Sequence, residues 1–98
     1  MTTKTDQCVS RRVRLSSRLA VDLTFGTSGL ICEWDPTFPA DLTVSELLAY
    51  RSARNACASE LARLIGGNVL MGDLTADGQR CSGLLCFYPD GRIERVQP

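Results

Sequence analysis

The chain contains no histidine. That absence removes the commonest general base, the commonest metal ligand and the side chain that titrates near neutral pH. Ser-His and Cys-His nucleophilic pairs are excluded with it. Lysine is nearly absent too: Lys4 stands alone against ten arginines. No apolar run approaches the roughly 20 residues that a membrane span needs. The opening stretch MTTKTDQCVSRR is polar and has no apolar segment of the secretory-signal kind, so the expected compartment is the cytosol.

No C-x-x-C pair occurs among the five cysteines, Cys8, Cys32, Cys57, Cys81 and Cys86. An odd number argues against a disulfide framework, and zinc normally takes close ligand pairs with histidine help. Most of the cysteines are therefore expected to be small, buried, reduced and metal-free. No cofactor site is expected.

What is present describes an ordinary globular domain. Ninety-eight residues with 44% hydrophobic content and matched charges (11 basic, 11 acidic) are enough for one modest core and too apolar for a disordered chain. Residues 1–10 read as a polar tail and residues 11–98 as a single domain.

From Val13 the apolar residues alternate: Val13, Leu15, Leu19, Val21, Leu23 and Phe25 on one side, with Arg14, Arg18, Asp22 and Thr24 on the other. A period of two predicts a strand, with a possible break near Ser16-Ser17. Gly26-Thr-Ser-Gly29 predicts a hairpin loop into a second strand, LICEW. Two prolines in Asp35–Leu42 forbid further sheet. Thr43-Val-Ser-Glu46 is a capping box flanked by the staple pair Leu42 and Leu47, and Gly66-Gly67 supplies a left-handed stop. The helix is predicted over 44–65, on the order of 33 Å long. NVLMGDL, CSGLLCFY and RIERV then predict an antiparallel meander with turns at Thr75–Gln79 and Pro89–Gly91. The expected class is α+β, in the order β-β-α-β-β-β, with one amphipathic helix packed on an antiparallel sheet.

Arg54 breaks the apolar helix face made by Leu47, Tyr50, Cys57, Ala58, Leu61, Leu64 and Ile65. A charge there needs a solution. It can run its stem over the face and place its head at a sheet edge. It can pair with Glu33, Asp35 or Asp73, stacked on Trp34. It can hold an anionic ligand. The first two make Arg54, like Thr43, Glu46, Trp34 and Gly66, a structural residue.

Catalytic motifs are missing. Gly26–Gly29 lacks the lysine and helix of a phosphate loop. Ser82-Gly83 lacks a nucleophile elbow. Asp73, Asp77 and Asp90 sit beside glycines in turns, without a calcium-loop pattern. Charge is segregated instead. Arg12, Arg14 and Arg18 share the polar side of the first strand, with Arg11 beside them, and form a candidate partner-binding row. Glu33, Asp35, Asp41 and Glu46 form a second, acidic candidate surface. The two segments can also neutralise each other. These features lead to the expectation of a small non-catalytic protein that binds another protein, as an inhibitor or adaptor. Phage and mobile-element accessory proteins that block a host defence complex are one subtype. The alternative is a nucleic-acid-binding module using the arginine strand, although that strand lacks interleaved aromatics. No membrane or metal partner is expected, and the oligomeric state is left open.

Overall fold

The computed structural model describes residues 7–27, 29–36, 41–74 and 81–96. The turn predicted at Thr75–Gln79 and most of the tail predicted at 1–10 lie outside the described residues. The class is α+β: β1 (Cys8–Ser16), β2 (Leu19–Gly26), β3 (Gly29–Asp35), α1 (Val44–Ile65), β4 (Val69–Leu74), β5 (Cys81–Phe87) and β6 (Ile93–Val96). The strands make two three-stranded antiparallel sheets, β1-β2-β3 and β4-β5-β6.

The first sheet has one strand more than the alternation predicts. The break expected near Ser16-Ser17 is a full reversal: the chain folds back at Ser17-Arg18, and β1 pairs with β2. A plain two-residue turn would put Val13 opposite Asp22 and send the apolar set of one strand to each face. The pairing instead shifts between Arg14 and Ser16, leaving Leu15 as an extra residue, so Val13 lies opposite Val21. This bulge restores the parity that the turn breaks. Odd-numbered residues of both strands then share one face, which is why the sequence pattern runs through the turn without interruption. β1 also begins at Cys8, so the domain boundary expected at residue 11 falls inside the strand.

The helix starts and stops where its signals stand. Thr43 is the N-cap: its Oγ1 accepts the Glu46 amide at 3.1 Å, and Glu46 Oε1 accepts the Thr43 amide at 2.9 Å. Gly66 closes the helix at φ 67°, a conformation costly for any residue with a Cβ, and its amide donates to the Ala62 carbonyl. The buried stripe holds Leu47, Ala53, Arg54, Cys57, Ala58, Leu61 and Ala62. Leu64, expected on that stripe, is 49% exposed. Ala53 and Ala62 take up the contact instead, and their small side chains bring the helix backbone close to the strands.

The helix packs against both sheets and joins them in one core. Val9, Leu15, Val21, Leu23 and Phe25 meet it from the first sheet, and Val69, Met71 and Phe87 from the second. No helix among the described residues is long and apolar enough to cross a membrane.

Candidate partner-binding surfaces

The arginine row is exposed, but most of its charge is matched. Arg12 reaches across β2 to Asp22 at 2.9 Å and to Asp35 on β3 at 2.5 Å. Arg18 lies in the β1–β2 turn and grips Glu46 through Nη2 at 2.6 Å and Nε at 2.8 Å, with Nη2 also donating to the Asp41 carbonyl at 2.9 Å. Arg14 Nη1 donates to the Ser16 carbonyl at 3.2 Å, and among the described residues no carboxylate faces it. Arg11 sits on the other face: its register partner is Leu23, whose side chain is fully buried. There it pairs with Glu60 of the helix at 2.7 Å. Arg14 apart, the basic row is thus a set of cross-links to carboxylates elsewhere in the chain, rather than a positive stripe.

The acidic candidates are divided in the same way. Glu46 is not a surface residue, since its side chain is only 2% exposed. Its carboxylate accepts from Arg18, from Ser16 Oγ at 2.5 Å and from the Thr43 amide, so every lone pair the fold buries is used. Those bonds, Arg18 foremost and then Ser16 and Thr43, hold its pKa far below the ordinary carboxylate range against the opposing effect of burial. Asp35 is bound by Arg12. Asp41 contributes its backbone carbonyl. Glu33 lies exposed on the outer face opposite Asp22.

Arg54 is buried, with 8% of its surface exposed. Its guanidinium lies 5.7 Å from the Tyr50 ring centroid and donates to the Gly72 carbonyl of β4 at 3.3 Å. Tyr50 in turn packs on Trp34 at 5.2 Å. The stem therefore crosses the helix face and the head ends on edge strand β4, but it is enclosed rather than solvated. Glu33 and Asp35 are not its partners, because both point to the far side of the first sheet. The Asp73 side chain lies outside the described residues. Tyr50 Oη also lies 3.3 Å from Cys32 Sγ, and burial pushes the phenol pKa up.

Cys57 and Cys86 are buried, as expected of small hydrophobes, while Cys32 is half-buried and Cys8 is exposed; all four are free thiols. Among the described residues no group of three or more metal-ligating side chains converges.

The second sheet carries a surface that the charge pattern does not announce. Its inner face presents Val69, Met71, Leu85 and Phe87 to the helix. Its outer face carries apolar side chains as well, beside the exposed Glu94 opposite Cys86. Leu70 is opposite Cys86, and Leu84 is opposite Gly72 on one side and Val96 on the other. Leu70 is 59% exposed and Leu84 39% exposed. Diagonal positions such as these lie about 7–8 Å apart, so the two leucines are neighbours on the sheet. Leu70 also borders an open groove of about 340 Å³ lined by Phe25, Leu61 and Ile65 together with Thr27 and Asn68, with no ionisable side chain among the described residues that line it. The signal was present in the sequence: VLM and LLCF are apolar at consecutive positions, and a strand solvated on one face alternates. In comparisons with protein families, curated proteins and solved structures, none matches the chain.

Proposed function

We propose that this chain is a small non-catalytic protein that acts by binding another protein, as an inhibitor or adaptor, through the outer face of β4-β5-β6. The observation that carries the reading is the exposure of Leu70 and Leu84 side by side on a sheet whose other face already forms the core. Apolar side chains clustered on a solvent face mark interaction sites in small soluble domains. The adjoining groove, of mixed polar and apolar lining, offers a place for one side chain of a partner. Glu94 and Arg92, joined at 3.2 Å, give the face a polar rim. Cytoplasmic action against a host complex is one setting for such a protein.

Nucleic-acid binding through the arginine strand is the weaker reading. Arg11, Arg12 and Arg18 each already hold a carboxylate, so little counterion release is left to drive phosphate binding. The test is capture of partners from the cells of origin with and without nuclease, using the parent chain and a Leu84→Glu variant side by side. A protein retained after nuclease treatment and lost with the variant supports the reading. Nuclease-sensitive capture that the variant leaves intact refutes it.

A further inference from the structure

We infer that β3 is a self-pairing edge, through which two copies of this chain join into one six-stranded antiparallel sheet. This surface lies on the first sheet, away from the apolar outer face of the second, and the inference does not depend on the function proposed above. β3 is the terminal strand of its sheet, and among the described residues no strand pairs with its outer side. Its seven residues, GLICEWD, pair with β2 without a register shift, so no bulge twists the edge away. It has no lysine and no internal proline, and Ile31 is 62% exposed. Its two carboxylates, Glu33 and Asp35, lie on the outer face, and Asp35 is held by Arg12, so neither blocks the edge itself; long, regular edges without a bulge, a lysine or an internal proline invite another strand.

The sequence of β3 selects a second copy as that strand. Two identical antiparallel strands related by a two-fold axis normal to the sheet must pair about a central residue, because the two faces have to match. The midpoint of Gly29–Asp35 is Cys32. Pairing about Cys32 uses the whole strand and stops at Pro36, which has no N–H to donate. It sets Leu30 against Trp34 of the second copy, twice, on the inner face. It sets Ile31 against Glu33 of the second copy, twice, on the outer face, and Cys32 against itself. Centring on Glu33 instead would oppose two carboxylates, and centring on Ile31 would leave Asp35 without a partner strand. Residues directly opposite in such a pair have Cα atoms about 4.5–5.5 Å apart, within reach of a disulfide.

Sedimentation of the intact chain, over loading concentrations from micromolar to millimolar, reads the association directly. A concentration-dependent dimer is expected. Ile31→Glu places a carboxylate against Glu33 of the second copy and should weaken the dimer at least about tenfold, whereas Ile31→Lys should preserve it by pairing with that glutamate. Ile31 is exposed, so both variants should melt like the parent. Oxidation of a Cys8→Ser background with diamide, which takes up the two thiol hydrogens as the disulfide forms, should give a covalent dimer that disappears with Cys32→Ser. A chain that stays monomeric throughout, a dimer indifferent to Ile31→Glu, or a dimer that Cys32 does not cross-link would each overturn the inference.

Discussion

Arg18 in the β1–β2 turn and Glu46 in the first turn of the helix are joined by two hydrogen bonds, Nη2 to Oε1 at 2.6 Å and Nε to Oε2 at 2.8 Å. Glu46 completes the capping box at the same time. One carboxylate therefore fixes the helix start and ties it to the hairpin. Thr43→Ala removes only the cap and should cost about 1 kcal/mol, read as a lower denaturation midpoint. Glu46→Ala removes both the side-chain half of the capping box and the guanidinium pair, and should lower the midpoint further than Thr43→Ala. Equal losses would show that the Arg18 pair contributes nothing beyond the cap.

Acid should undo the same link. Glu46 has its pKa lowered from the ordinary 4.5, chiefly by Arg18. Asp90 is also lowered, first by the Arg92 backbone amide. Groups depressed in the folded state stabilise it fully above their unfolded pKa, and that contribution is lost as pH falls toward the folded value. Stability should thus hold between about pH 7 and pH 5 and decline below about pH 4.5. Glu46→Gln should decline less steeply over the acid range. Parallel pH profiles for the two proteins would contradict the assignment.

Arg54→Met keeps the stem and removes the charge. It loses the bond to Gly72 and the cation–π contact with Tyr50, leaving a carbonyl that has to find another donor. A loss of about 2 kcal/mol is expected in chemical denaturation, in the range for hydrogen bonds to charged groups. A change below about 0.5 kcal/mol, typical of exposed sites, would mean that the head is solvated in solution.

The cysteines should react in order of exposure. Cys8 should modify first in the native protein and Cys32 more slowly, while Cys57 and Cys86 are protected by burial, which also raises the Cys57 thiol pKa. Denaturant should release all five thiols, and elemental analysis should find no bound zinc. Fast native labelling of Cys57 would contradict the packing of the helix against both sheets.

The helix was legible in the sequence because its signals are local: Thr43 and Glu46 are three residues apart, and Gly66 ends the pattern. The β1–β2 hairpin was legible only as a break near Ser16-Ser17 and not as a reversal, since the bulge at Leu15 preserves an alternation that a turn ordinarily interrupts. The arginine partners were hidden for a different reason. Arg11 meets Glu60, Arg12 meets Asp35 and Arg18 meets Glu46, and only the tertiary fold decides those pairings. Segregated charge along the chain reads as two surfaces, when three of the four arginines are tied to carboxylates elsewhere in the fold. The outer face of β4-β5-β6 was legible in VLM and LLCF, but only to a reading that asks what each face of a strand meets.

Leu70 and Leu84 are the proposed contact with a protein partner. The most direct measurement is the affinity of the captured, nuclease-resistant partner for the parent chain and for Leu84→Glu, each first shown to melt alike. Leu84 is partly exposed, so the substitution should leave the fold intact. A charge buried against an apolar partner should weaken binding by at least about tenfold, close to 1.4 kcal/mol or more. Unchanged affinity in a folded Leu84→Glu protein would contradict the claim.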